Sequence, residues 1–133
     1  MRNYKVFAYG TLIVPAVLQV VTGQSYTQNP AKLPGYARYL IKGQVFPGII
    51  AADNSSVEGV VYHDIDATAL QRLDDFESNV YIREEVLVTL ENKHSPPAYA
   101  YVMSSEHEDL LSDQPWDIEV FIFKHLAEYL KRI

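Results

Sequence analysis

The 133-residue sequence contains no cysteine, which excludes a disulfide framework, a thiolate nucleophile and a cysteine metal site. It also contains no basic run, and 11 Lys and Arg residues face 17 Asp and Glu residues, for a formal net charge of −6. Because nucleic-acid binding needs clustered positive charge to neutralise phosphates, we expect no nucleic-acid partner.

Long apolar runs are absent as well. No stretch reaches the roughly eighteen apolar residues of a membrane-spanning helix, so no membrane partner is predicted. The apolar residues after Lys5 resemble a secretion signal, but Gly10, Pro15 and Gln19 interrupt them and no small-x-small cleavage site follows. With 48% hydrophobic and 21% charged residues, the composition is typical of a globular protein. We therefore predict a single domain over residues 1–133, located in the cytoplasm.

The common catalytic and metal-binding motifs are also missing. The sequence has no G-x-S-x-G, no P-loop, no G-x-G-x-x-G and no H-E-x-x-H. His107 lies between Glu106 and Glu108, a pattern more typical of a solvated acidic loop than of a metal cluster. The other three histidines are scattered: His63, His94 and His125. We predict that the protein uses no metal and no cofactor.

The residue pattern alternates irregularly between strands and helices. Turn-forming residues at 53–56 indicate a hairpin turn, and Gly23 closes a helix that begins at Pro15. This irregular order argues against a doubly wound parallel sheet and favours an α+β domain with a closed or nearly closed sheet. The predicted strands cover 6–9, 36–41, 49–52, 57–65, 80–90 and 98–103, and the predicted helices 15–22, 66–77 and 116–132.

The helix over 66–77 carries an acidic residue where an apolar one is expected. Leu70, Leu73 and Phe76 form its apolar stripe, and Glu77, seven residues after Leu70 and four after Leu73, falls on the same face. Such a conflict between hydrophobic pattern and chemistry marks candidate functional sites. Burial, the like charge of Asp74 and the negative end of the helix should all raise the pKa of Glu77.

A carboxyl group with a raised pKa suits a general base that later returns the proton as an acid. The alternative is that the helix ends before Glu77, whose carboxylate then faces water or pairs with Arg83. Periodicity alone leaves both interpretations open.

A second candidate site is the segment Tyr9-Gly10-Thr11-Leu12, which ends a buried strand without the polarity of a surface turn. Glycine lets the backbone approach a ligand closely, and successive N–H groups in a turn can bind an anion. A helix beginning at Pro15 would direct its N-terminal dipole to the same place. Taken alone, a plain bend at Gly10 remains the simpler interpretation.

Six dispersed motifs, however, occur in a meaningful order: FAYGTL, LPGY, FPGII, VEGVVYHDI, LQRLDDFESNVYIRE and AYAYVM. Together they resemble the gamma-glutamyl cyclotransferase-like superfamily, particularly its avirulence-induced-gene-like (AIG-like, gamma-glutamylamine cyclotransferase-like) branch, over nearly the whole chain. The resemblance implies a small six-stranded barrel-like mixed sheet with flanking helices and a C-terminal helix. It also implies cleavage of gamma-glutamyl amides by cyclisation, which gives 5-oxoproline and a free amine or amino acid.

The resemblance assigns the catalytic acid-base role to Glu77. It assigns substrate binding to the loop Tyr9, Gly10, Thr11, Leu12, Ile13 and Val14. Many relatives have glycine where this chain has Ser78, and many have polar or basic residues where it has Ile13 and Val14. Tyr81 and Tyr101 are candidates for the cavity lining and equally for the core.

Two functions follow as alternatives. The first is an enzyme of the gamma-glutamyl cyclotransferase type, an acyltransferase or amine lyase, acting on a small-molecule gamma-glutamyl compound. The second is a non-catalytic binding or regulatory module that keeps the same cavity. Retention of Glu77 favours the enzyme, while the leaving amine and the oligomeric state stay open.

The absence of metal ligands gives the first prediction. Exhaustive chelation should leave the release of 5-oxoproline at its full rate, because no cysteine and no histidine pair with ligand spacing is present. Activity that is lost on chelation and restored by zinc would contradict the mechanism.

Overall fold

The computed structural model describes residues 3–133. Its helices and strands follow one another in an irregular order, with short 3-10 helices at 11–13, 78–80 and 105–110. The strands are β1 (Tyr4–Ala8), β2 (Gln28–Leu40), β3 (Pro47–Ile65), β4 (Tyr81–Leu87), β5 (Thr89–Leu90) and β6 (Pro97–Met103). The helices are α1 (Pro15–Thr22), α2 (Ala67–Glu77), α3 (Ile118–Lys124) and α4 (Leu126–Arg132).

Within these residues the strands form one six-stranded sheet in the order β4-β6-β1-β3-β2-β5. β1 and β6 run parallel, and the other neighbouring pairs are antiparallel. The sheet is a mixed half-barrel with flanking helices, which confirms the predicted α+β class. No helix in residues 3–133 combines the length and the apolarity needed to cross a membrane.

β1 lies inside the sheet, and its residues Val6, Phe7 and Ala8 are buried on both faces, which explains their uninterrupted apolar sequence. Val6 and Ala8 pack on one face with α1 and α2, while Phe7 packs on the other face with residues of β2, β3 and β6. Tyr9, just after the strand, belongs to the same cluster as Phe7. The chain therefore leaves the core at Tyr9, where the predicted substrate loop begins.

Local signals placed α1 and α2 correctly. Pro15 is the first residue of α1, and Gly23 ends it in the left-handed conformation at φ +81°. Asp66 caps α2, because its Oδ1 accepts a hydrogen bond from the Ala69 N–H at 2.8 Å. α2 ends at Glu77 as predicted.

The predicted hairpin turn over 53–56 is wrong. β3 runs without reversal through these residues, and both of its halves pair with the same strand, β2. The register places Ser56 opposite Pro34 and Ala51 opposite Tyr36, so residues 52–55 form an excursion opposite the single residue Gly35. Most of the turn-forming residues 53–56 therefore lie in this bulge and not in a hairpin turn.

Two long predicted elements are divided in the structure. The strand over 80–90 becomes β4 and β5, because β4 pairs with β6 and β5 pairs with β2 at the other end of the sheet. The C-terminal helix over 116–132 becomes α3 and α4, separated at His125 with φ −127° and ψ −22°. The strand over 36–41 belongs to the longer β2, which begins at Gln28.

Candidate active site

A cavity of about 390 Å³ lies beyond the carboxyl end of β1. It is bounded by the loop after β1, the segment between β2 and β3, the end of α2, the start of β4 and the end of α4. Its lining consists of Phe7, Ala8, Tyr9, Gly10, Thr11, Leu12, Gly43, Gln44, Val45, Phe46, Pro47, Phe76, Glu77, Ser78, Val80, Tyr81, Tyr101, Tyr129, Arg132 and Ile133. The structure therefore brings the two sequence-predicted sites, 9–12 and Glu77, to one cavity.

The last two residues of the predicted substrate loop lie elsewhere. Ile13 and Val14 do not line the cavity. Both are partly buried and pack against the helix-side core that includes Leu18 and Leu70. Their apolar character, which departs from many relatives, is explained by this packing, and the cavity-facing part of the loop is limited to residues 9–12.

The structure explains Gly10 by its close approach to Pro47 and not by a bend in the chain. Its φ of −125° is open to other residues, so a positive φ does not explain the glycine. A Cβ atom at this position would lie 2.9 Å from Cδ and 3.0 Å from Cγ of Pro47, which lines the same cavity. Glycine thus lets the loop lie against Pro47.

The loop also presents free backbone donors. Ile13 N–H donates to the Gly10 carbonyl at 3.0 Å, which forms the 3-10 turn. The preceding N–H groups, those of Gly10, Thr11 and Leu12, find no acceptor within residues 3–133. A turn with unsatisfied N–H groups beside a cavity can hold a carboxylate or an oxyanion.

Glu77 lies on the cavity side of α2, as the helical spacing predicts. Leu70 and Leu73 are buried, Asp75 and Arg72 are exposed, and Glu77 is partly buried in the cavity wall. No hydrogen bond or ion pair in the described chain engages the Glu77 carboxyl group. Burial raises the pKa of Glu77 from its usual value of 4.5 to about 8.

The alternative pairing of Glu77 with Arg83 is wrong. Arg83 instead pairs with Asp74, with 3.4 Å between Nε and Oδ1. The same Asp74 oxygen accepts a hydrogen bond from the Tyr101 hydroxyl at 2.8 Å. The Arg83 guanidinium group is therefore paired with Asp74, and the Glu77 carboxyl group stays unpaired.

Four tyrosines of the described chain line the cavity, and each hydroxyl has a hydrogen-bond partner other than Glu77. The Tyr9 hydroxyl donates to the Tyr101 carbonyl at 2.6 Å, and the Tyr81 hydroxyl donates to the Pro47 carbonyl at 2.8 Å. The Tyr129 and Thr11 hydroxyls bond to each other at 3.2 Å. Burial raises the pKa of all four, and a negative charge on Glu77 raises it further. The four tyrosines therefore remain protonated and uncharged.

Tyr81 and Tyr101, which the sequence left open between lining and core, both reach the cavity. Tyr101 also belongs to the helix-side core, so the two interpretations are both true for it. No sequence pattern indicated Tyr129 or the segment 43–47 as part of the lining. Tyr129 lies in the predicted C-terminal helix, but its spacing gives no indication of contact with Thr11, 118 residues earlier.

Metal-binding geometry is absent from the part of the chain that the structure describes, where no three His, Cys, Asp or Glu side chains could share an ion. His107 is 2.6 Å from the Ser104 hydroxyl, and His63 is 2.6 Å from the Asn29 side-chain oxygen. These contacts give two of the histidines structural partners. Activity without a metal stays a prediction.

The cavity and its carboxyl group can be compared with known proteins. A family model described as "Gamma-glutamyl cyclotransferase, AIG2-like" matches residues 6–118. The chain belongs to this family. It is 29% identical to Protein AIG2 C of Arabidopsis thaliana over 131 residues, covering 98% of this chain and 79% of that protein. It is 32% identical to AIG2-like protein D of the same plant over 130 residues, covering 96% and 85%.

Solved structures agree with this membership. A solution structure of an Arabidopsis thaliana protein superposes with a TM-score of 0.77 at 29% identity, covering 99% of this chain and 80% of that one. The structure of a gamma-glutamyl cyclotransferase superposes with a TM-score of 0.70 at 16% identity, covering 98% and 86%. At 16% identity the likeness shows the fold, and both the predicted family and the predicted fold are confirmed.

Ser78 gives the second prediction. It follows Glu77 and has φ +62° and ψ −165°, a conformation that is essentially restricted to glycine. We expect Ser78→Gly to raise the free energy of unfolding by about 1 kcal/mol in urea denaturation, because it relieves backbone strain. Ser55→Gly, at an exposed position without a positive φ, should lower it instead. A destabilised S78G protein would contradict the strain at this position.

The raised pKa of Glu77 gives the third prediction. In the folded state Glu77 keeps a proton that the unfolded chain releases above about pH 4.5. The contribution of Glu77 to folding stability is therefore complete below pH 4.5 and is lost as the pH rises through about 8. Glu77→Gln removes the titration. We therefore expect the stability of E77Q relative to that of the wild type to increase by roughly 2–4 kcal/mol as the pH is raised from about 5 to about 9.

Urea denaturation at both pH values measures this difference. Asp75→Asn is the matched control, because Asp75 is exposed on the same helix and its side chain accepts one hydrogen bond, from the side chain of Gln71. A stability difference between E77Q and the wild type that is independent of pH would show that the Glu77 pKa is not raised.

Proposed function

We propose that the protein is a gamma-glutamyl cyclotransferase acting on a small-molecule gamma-glutamyl amide in the cytoplasm. The α-amine of the glutamyl group attacks its own γ-carbonyl, giving 5-oxoproline and a free amine or amino acid. The observation that carries the proposal is the unpaired Glu77 carboxyl group, of raised pKa, in the same cavity as the free N–H groups of residues 10–12. Family membership supports the same reaction class.

The reaction needs one proton carrier and one site for developing negative charge. As the new bond forms between the amine nitrogen and the γ-carbon, Glu77 accepts the proton that the amine loses. The γ-oxygen gains negative charge, which the loop N–H groups stabilise. The bond to the leaving nitrogen then breaks while Glu77 donates the same proton to that nitrogen. Glu77 is restored, and no covalent enzyme intermediate is formed.

The cavity supports this division of roles. Its volume of about 390 Å³ is in the range of small-molecule sites, and tyrosine and apolar side chains make up most of its lining. Holding the substrate folded makes the attack intramolecular, which can lower the barrier by several kcal/mol. A pKa of about 8 lets Glu77 exchange its proton near neutral pH, whereas a carboxyl group at 4.5 would be a weak base.

The alternative of a non-catalytic binding module requires a cavity that holds a ligand without proton transfer. A cavity closed by side chains around Glu77 would favour that alternative, but here the space beside Glu77 is open. The openness supports the enzyme. The leaving group can be identified by screening a panel of gamma-glutamyl amides, including gamma-glutamyl amino acids, for release of 5-oxoproline.

The fourth prediction tests the role of Glu77. Glu77→Gln should lower kcat by about a hundredfold or more at nearly unchanged KM, because the amide keeps the shape of the side chain but carries no proton. The rate of the wild type should rise with pH through about 8, and E77Q should lack this limb. Titration of the substrate amine affects both proteins equally, so their ratio isolates Glu77.

Asp75→Asn serves as the control and should keep the wild-type rate and pH profile. Near-native release of 5-oxoproline by folded E77Q would place the chemistry elsewhere. Tight binding of gamma-glutamyl compounds without turnover by the wild type would favour the binding module.

A further inference from the structure

Arg38 of β2 makes contacts that are unusual for a cation. Its Nη1 donates to the carbonyl of Tyr9 at 2.7 Å and to the carbonyl of Glu58 at 3.0 Å. Its guanidinium carbon lies 5.4 Å from the centre of the Trp116 ring. The side chain is partly buried and takes no part in the ion pairs of the described chain.

The free energy of burying this charge is not offset by a close carboxylate. Burial lowers the pKa of Arg38, and Glu58 and Asp117 act on it only from beyond ion-pair distance. Its strongest contact is therefore the short charge-assisted hydrogen bond to the Tyr9 carbonyl. The guanidinium group holds one particular peptide unit of the substrate loop.

That peptide unit joins Tyr9 to Gly10. In a planar trans peptide the carbonyl and the following N–H point in opposite directions. Arg38 lies outside the cavity lining and draws the Tyr9 oxygen towards itself, whereas Gly10 lines the cavity. The Gly10 N–H is thus turned away from Arg38, and it has no acceptor in residues 3–133.

We propose that Arg38 is a positioning residue that fixes the Tyr9–Gly10 peptide with the Gly10 N–H directed at the γ-glutamyl group. The inference rests on the proposed function. Without Arg38 the peptide is free to rotate and to turn the Tyr9 carbonyl oxygen towards the developing negative charge. The loss should then appear in the transition state, and so in kcat more than in KM.

Three variants test this role. Arg38→Met keeps an apolar side chain of similar length and removes the donor, and Arg38→Lys keeps a cationic donor group. Arg72→Met is the matched control, because Arg72 also donates to a backbone carbonyl, that of Thr22 at 2.8 Å, but lies on the exposed face of α2. Thermal unfolding and circular dichroism establish the folded fraction before kcat, KM and the pH profile are measured.

We expect R38M to lower kcat by about ten- to a hundredfold with less than about a threefold change in KM. R38K should recover at least part of this loss, R72M should stay within about twofold of the wild type, and the limb near pH 8 should be unchanged in each. A wild-type kcat in folded R38M would overturn the proposal, and so would an effect confined to KM. If R38M does not fold, R38K replaces it, with an expected three- to tenfold loss in kcat.

A second readout separates this inference from the proposed function. The backbone amide resonance of Gly10 is followed by NMR in the wild type, R38M (or R38K) and R72M, first without ligand and then with added 5-oxoproline. The free-protein resonance should shift with the Arg38 substitution only, and 5-oxoproline should shift it in the wild type and R72M but less in the Arg38 variant. Wild-type protein that neither turns over gamma-glutamyl amides nor binds 5-oxoproline defeats the proposed function. An unchanged Gly10 resonance in the Arg38 variant defeats the positioning role.

Discussion

The rotation of α2 about its axis is the constraint on which the site depends. Leu70 and Leu73 are buried with Val6 and Ala8 of β1, so the helix cannot turn without exposing them. With that face fixed, the last residue of the helix, Glu77, must project into the space beyond the end of β1. Packing of the hydrophobic core thus fixes the Glu77 carboxyl group at a position where burial raises its pKa to about 8.

The polar contacts around the cavity maintain this arrangement by occupying other groups. Asp74 forms an ion pair with Arg83 and accepts a hydrogen bond from Tyr101, and the hydroxyls of Tyr9, Tyr81 and Tyr129 bond elsewhere. Donors are thereby kept from Glu77, and Arg38 keeps the Tyr9 carbonyl occupied at the other side of the site. The cavity is left with the unpaired Glu77 carboxyl group and with the unpaired N–H groups of residues 10–12, which a substrate can engage.

Local sequence signals predicted the parts of the site that lie within one element. Helical spacing placed Glu77 on the face of Leu70 and Leu73, and Pro15 and Gly23 bounded α1, because capping and periodicity act over a few residues. The family resemblance supplied the fold and joined the loop after β1 to Glu77. It also placed Ile13 and Val14 in the substrate loop, and the structure shows that their side chains pack against the core.

The remainder depends on contacts between distant residues, which local patterns do not encode. Tyr129 reaches Thr11 and Arg38 reaches Tyr9 only once the half-barrel is formed. The turn-forming residues at 53–56 have the same composition in a hairpin and in a bulge, and pairing of both halves of β3 with β2 decides between them. No residue pattern along 80–90 shows that its two halves join different strands.

The central claim is that the folded chain holds Glu77 as a proton-exchanging group near neutral pH. The most direct test is a carbon-13 NMR titration of the Glu77 side-chain carboxyl in the free protein, with its resonance assigned by comparison with E77Q. The structure predicts a midpoint near pH 8. A midpoint near the usual value of 4.5 would show a solvated carboxylate and contradict the account.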